Sequence, residues 1–426
     1  MKSVAKRALV PTLRFPEFRD AREWEDPELH EIAVPVVERV GDRRLTPISI
    51  SAGIGFVPQA EKFGRDISGN QYRLYTLVRD GDFVYNKGNS LKFPQGCIYD
   101  LQGWGAVAAP NVFICFRLKH GYVNGFFSYS FEKNVHGLQL RKHITSGARS
   151  NGLLNINKDD FFAVKVPTPK REEQQKIADC LSSIDELVTL EAQKLDTFKA
   201  HKKGLMQQLF PAEGETLPTF RFPEFRDARE WEKKILGQVF NRITTKNAEN
   251  NQNVLTISSQ AGLVSQLDYF NKSIAAKDVT GYYLLRRGDF GYNKSSSQGY
   301  PMGAIKRLKN YEKGVVSTLY ICLRVNNGYS ESFFEQYFDA GALNSEIAGI
   351  AKEGARNHGL LNMGVNEFFN DVQVTCPRIE EQQKIADCLS SIDELIVAQT
   401  QKLATLKAHK KGLMQQLFPA LDGVQG

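Results

Sequence analysis

The chain has 426 residues, with 55 Lys and Arg against 48 Asp and Glu, 42% hydrophobic residues and 24% charged ones. That length and balance predict two or three ordinary folded domains. No apolar run reaches the roughly 18 residues of a membrane span, and the basic N-terminus lacks the apolar stretch of a signal peptide, so the expectation is a cytoplasmic protein with no membrane partner.

The net charge of +7 is compatible with a nucleic-acid partner without identifying one. Six scattered cysteines without a CxxC pair point to buried thiols and away from a zinc site or a disulfide framework.

Read from the N-terminus, the first distinctive block is RFPEFRDAREWE at residues 14–25, which recurs unchanged at 221–232. GDFVYNK at 81–87 returns as GDFGYNK at 288–294, and GARSNGLLN at 147–155 returns as GARNHGLLN at 354–362, all displaced by 207 residues. Residues 172–211 and 380–419 then match at 33 of 40 positions. A period this long is a duplicated domain with its connector, since solenoid units run about 20–45 residues. Between the shared blocks the copies diverge, as expected of two similar modules that bind different things.

Residues 30–170 and 237–378 are rich in short β-like runs, among them 107–118 and 315–325, punctuated by Asp80-Gly81, Arg287-Gly288 and Asn327-Gly328. A helix is predicted over 331–340, and each globular segment reads as α+β. Two pairs of shared blocks supply candidate contact residues for DNA. Tyr85, Asn86 and Lys87 match Tyr292, Asn293 and Lys294; Asn and Lys suit base edges and phosphates. Arg149 and Arg356 follow a Gly-Ala pair in a loop that could approach a phosphate. Arg141 and Lys142, with His143, add a basic cluster in the first copy only. The same residues also fit a strand end with a solvated lysine, a plain loop arginine and a solvated charge run. Leu153, Leu154, Leu360 and Leu361 read as core.

After Glu173 the apolar positions fall at Ile177, Leu181, Ile184, Val188, Leu195, Phe198, Leu205 and Leu209, with Glu191 and Lys202 in the two gaps. The second copy gives Ile385, Leu389, Ile392, Ile396, Leu403, Leu406, Leu413 and Leu417, with Gln399 and Lys410 in its polar places. Steps of four and three over nearly five heptads are a coiled-coil pattern. Pro169 and Pro211 flank the first helix, and Gly204 is a place where it could bend or end. Two near-identical seams in one chain are natural antiparallel partners; packing of each helix on its own domain and homodimerisation are the alternatives.

No GxxxxGK[ST] loop, Pro-Pro dipeptide or HExxH spacing is present, and Glu232-Lys233-Lys234 has no spaced acid before it to complete a nuclease motif. No catalytic residue and no metal site is therefore assigned.

GDFVYNK, GARSNGLLNI and VPTPKREEQQKIADCLSSIDELV, with their second copies, resemble the specificity subunits of type I restriction-modification systems over nearly the whole chain. The resemblance implies a target-recognition domain at 1–170, a central helix at 171–211, a second such domain at 212–378, a C-terminal helix at 379–420 and a tail at 421–426. The two helices would form an antiparallel coiled coil with pseudo-twofold symmetry. It further implies recognition of a bipartite, asymmetric site on double-stranded DNA without catalysis by this chain. The implied partners are two methyltransferase subunits that hold S-adenosylmethionine and, in the full complex, restriction subunits that use ATP with Mg; this chain itself would hold no cofactor. One extra residue before the second helix, Pro377-Arg378-Ile379 against Pro169-Lys170-Arg171, departs from strict symmetry. Rival readings are an adaptor for other proteins and a DNA-modifying enzyme with unrecognised catalytic residues.

Overall fold

Short continuous apolar runs, the mark of strands buried on both faces, organise the globular parts of the chain. The computed structural model describes residues 9–88, 93–144, 154–270, 278–297, 299–356 and 360–419, with backbone alone at 352–356 and 360. The chain divides into two compact units, one of residues 1–191 and 402–426, the other of residues 192–401. Each unit thus takes part of both long helices, where a division into consecutive domains would give each helix to itself.

In the first unit an antiparallel sheet runs in the order Ala33–Pro35, Ile114–Leu118, Phe83–Asn86, Cys97–Asp100. Phe83 and Tyr85 face a core shared with Ile98, Ile114 and Phe116, capped by Phe126, Phe127 and Phe131 of the Asn124–Glu132 helix. Val84, Cys97 and Cys115 face the opposite side, where they meet Ile48, Ile50 and Val107. Those last residues belong to a second sheet in the order Gly55–Pro58, Thr46–Ser51, Ala106–Ala109, Thr76–Arg79.

The second unit repeats the scheme with Phe240–Arg242, Ile321–Val325, Phe290–Asn293 and Ala304–Arg307. Its capping helix is Glu331–Asp339, close to the expected span. The divergent interiors keep one topology: Thr46 pairs in parallel with Val107, and Val254 forms a parallel bridge with Val315. Gly291 stands where the first unit has Val84, because a Cβ there would come within 2.8 Å of Ile257 Cδ1.

Residues 107–118 and 315–325 are each split in two, unlike the single runs expected. Ala106–Ala109 and Ile114–Leu118 flank a turn in which Phe113 N donates to the Pro110 carbonyl, and Lys313–Val316 and Ile321–Val325 flank one in which Tyr320 N donates to Ser317. Pro110 brings no N–H to a ladder, which favours the break.

The long helices are Arg171–Leu209 and Ile379–Leu417, 39 residues each. Gly204 lies inside the first, which runs through it: the other residues of the last turns hold the helix against a glycine penalty of about 1 kcal/mol. Within the first unit residues 171–191 and 402–417 run antiparallel, since Glu191 pairs with Lys402 and Asp185 with Lys410. Ile177, Leu181 and Leu417 are buried there, with Ile184, Val188, Leu403, Leu406 and Leu413 half-buried. Within the second unit Leu195, Leu209, Ile385, Leu389 and Ile392 are buried and Phe198, Leu205 and Ile396 half-buried. The heptads' polar places are used too: Glu191 and Gln399 are buried, and Lys202 Nζ sits 2.6 Å from Asp393.

The RFPEFRDAREWE block has a structural role. Arg14 donates through Nε and Nη2 to Glu173 at 2.8 and 2.7 Å, and Trp24 Nε1 donates to the same carboxylate at 3.3 Å. Arg221, Trp231 and Glu381 repeat this at 2.8, 2.7 and 3.2 Å. Each set ties a globular part to the first turn of a long helix. The far end of a long helix also seals each unit: Phe418 packs on Trp24 and Phe126, and Phe210 on Trp231 and Phe333.

Candidate nucleic-acid interface

The shared GDF-x-YNK block starts at a buried carboxylate. Asp82 accepts from the Arg79 backbone N–H and from Nε and Nη2 of Arg117, and Asp289 does the same with Arg286 and Arg324. These aspartates fix the turn that launches the strand, and each holds its arginine above the usual guanidinium range.

The strand then buries its tyrosine. Tyr85 and Tyr292 are both 0% exposed. Tyr85 stacks on Phe161 at 4.6 Å and donates its hydroxyl proton to Gln95 O, while Tyr292 stacks on Phe368 at 5.2 Å and donates to Met302 O. Burial pushes both phenols well above their ordinary pKa. This corrects their expected place among DNA contacts: inward alternation puts them in the core.

Asn86 and Asn293 are turned to local use. Asn86 Nδ2 donates to Ile50 O at 3.3 Å and its Oδ1 accepts from Gly88 N, while Asn293 bonds Ile257 O at 3.5 Å and accepts from Ser295 N. Each is an Asx turn that fastens the strand end to the second sheet.

Lys87 and Lys294 emerge half-buried at that end. The Lys87 carbonyl accepts from Leu154 N at 2.9 Å and the Lys294 carbonyl from Leu361 N at 3.1 Å. The structure therefore joins the two shared blocks within each unit, although they are well separated in sequence. Lys87 Nζ also reaches Ile156 O at 3.4 Å.

Arg141 and Lys142 lie exposed in the Arg141–His143 turn, where His143 pairs with Asp160. Arg149 and Leu153 lie outside the described residues. Arg356 ends the Lys352–Arg356 strand, opposite Leu360, and its side chain lies outside them too, as does that of Leu360. Leu154 is buried and Leu361 half-buried, as core residues should be.

Cys115 and Cys322 lie under this region, and burial pushes each thiol up to about 12, which makes neither a nucleophile at neutral pH. Among the described residues no group of three or more His, Cys, Asp and Glu side chains could hold a metal. Among the described residues no helix is long and apolar enough to cross a membrane.

The family described as the type I restriction modification DNA specificity domain matches residues 104–200. The MjaVIII type I restriction enzyme specificity subunit of Methanocaldococcus jannaschii is 23% identical over 301 residues, covering 66% of this chain and 68% of that protein. The putative MjaX specificity subunit of the same organism is 24% identical over 281 residues, covering 62% of this chain and 60% of that one. The crystal structure of a type I restriction-modification S subunit from M. genitalium superposes with a TM-score of 0.57 at 14% identity, covering 97% of this chain and 100% of the other. A chain from a study of complex assembly and conformational transition in a type I restriction-modification system gives 0.53, with the same identity and coverage. At that identity the two structures bear on the fold.

Proposed function

We propose that the chain is a specificity subunit of a type I restriction-modification system, as its similarity to that family supports, and that its two units read the two halves of one bipartite, asymmetric site on double-stranded DNA. It is the recognition subunit, and the chemistry belongs to its partners. The observation that carries the proposal is a contrast within one chain: the same sheets, clamp and helix ends are built twice, while residues 26–80 and 233–287 have little in common. Two copies of one scaffold with different interiors suit two different half-sites.

The recognition domains would be residues 1–170 and 212–378, and the helices at 171–211 and 379–420 would pair antiparallel and set the spacing between half-sites. A helix of that length is roughly 50 Å, enough to span about one DNA turn of 34 Å. Lys87, Lys294, Arg141, Lys142, Arg149 and Arg356 would supply phosphate contacts, so affinity would fall steeply with salt. Two methyltransferase subunits that use S-adenosylmethionine would dock on the helices, with restriction subunits that use ATP and Mg in the full complex.

A modified-base map of cells with the gene intact and deleted tests this. Loss of one bipartite, asymmetric N6-methyladenine motif on deletion is the expected result; an unchanged map overturns the proposal and favours an adaptor role.

A further inference from the structure

Each unit has a cleft at the same place in its fold, beside the edge strand of the first sheet and the turn that splits the former single run. Its floor is shared: Ile114 and Cys115 in the first unit, Ile321 and Cys322 in the second. Its rim is not. Pro35, Asn111 and Lys158 line the first, and 207 residues on, Arg242, Thr318 and Val365 line the second. The larger clefts under the RFPEFRDAREWE blocks behave oppositely, with Arg14 and Gln174 matched by Arg221 and Gln382.

The rim groups are poised to face outward. Arg39 donates to the Leu74 carbonyl and to Asn111 Oδ1, which leaves the Asn111 amide N–H bonds as donors. Asn111, Lys158 and Arg242 are exposed, and Arg242 makes no ion pair among the described residues. The clefts adjoin the candidate interface: Lys158 lies four residues beyond Leu154, whose N–H meets the Lys87 carbonyl, and Lys294 itself lines the second cleft.

We infer that these clefts are where each unit reads base edges, with Asn111 and Lys158 as readers in the first unit and Arg242 in the second. Asn and Arg donors match the acceptor pattern of purine edges in the major groove, and a changed rim on a common floor is how one scaffold acquires two specificities. The inference rests on the DNA-recognition reading above.

The test uses the full chain coexpressed with its modification subunits, and maps modified adenines for wild type, Arg242→Ala, Arg242→Lys and the double variant Asn111→Ala with Lys158→Ala. Arg242→Ala should relax one or two positions of a single half-site, raising modification of near-cognate sites about tenfold or more relative to the cognate one. The double variant should relax the other half-site alone. Arg242→Lys, which keeps charge and fold but loses the planar fork, should relax the same positions as Arg242→Ala. Uniform weakening across all sequences would make these residues phosphate contacts and overturn the inference, as would unchanged motifs. A wild type that yields no motif would instead defeat the function reading, and this with it.

Discussion

Arg14 and Glu173, 159 residues apart, form a bidentate pair with side chains only 7% and 2% exposed. Breaking a buried pair from one side leaves a charge with neither water nor partner, which costs about 3–5 kcal/mol, while replacing both partners by apolar groups is often neutral. Arg14→Ala should therefore destabilise the first unit by roughly that amount. Arg14→Met with Glu173→Leu should recover most of it. Equilibrium denaturation of the three proteins decides, and equal losses in the single and double variants would refute the account.

His136 is a second buried liability, in the first unit only. Neither ring nitrogen makes a hydrogen bond of normal geometry, and burial outweighs the approach of the Gly96 backbone to push the imidazole down to about 4. The folded pKa lies below the unfolded one, so the stability held by the neutral ring is complete above about pH 6.5 and is lost as pH falls toward 4, up to about 3 kcal/mol. The repeat mate is Leu343. His136→Leu should flatten the stability profile between those pH values, measured by denaturant midpoints at pH 7 and pH 5.

A glycine inside each long helix offers a gain. A Cβ on Gly204 or Gly412 would meet nothing within 4 Å. Alanine at either should stabilise by about 0.5–1 kcal/mol. A loss on substitution, seen in the same denaturation assay, would show that these positions need glycine for another reason.

Lys87→Ala and Lys294→Ala should weaken DNA binding about evenly across sequences. Each should also lower the slope of log affinity against log salt by roughly one if it meets a phosphate. Titrations of one cognate and one scrambled duplex at several salt concentrations separate this from base reading, which would penalise the cognate duplex alone.

Removing one heptad from both helices should change the spacer between half-sites in the methylation motif. The same spacer with shortened helices would end the idea that the helices act as a ruler.

Much of the architecture was legible because it rests on periodicity. The heptad steps from Ile177 to Leu209 give the helix and its buried stripe, and even the misfit residues Glu191 and Lys202 occupy seam positions, paired with Lys402 and Asp393. The candidate site was harder to read. A polar-looking YNK end of a strand gives no hint that Tyr85 faces a core on one side while Val84 faces another, because both faces are covered by elements distant in sequence. The Arg14–Glu173 clamp was invisible for the same reason. The cleft rims left one signal, the difference between copies at Pro35 and Arg242 or Asn111 and Thr318, but only the fold brings those positions to one spot.

Phe418 stacks on Phe126 and touches Trp24, so the core of the first unit is finished by the end of the second long helix. On the ribosome, the segment made first must wait for some of the residues made last. Until then Trp24 and Phe126 keep a hydrophobic surface open to chaperones and proteases. A chain that stops short of Phe418 therefore leaves the first core without its own last ring.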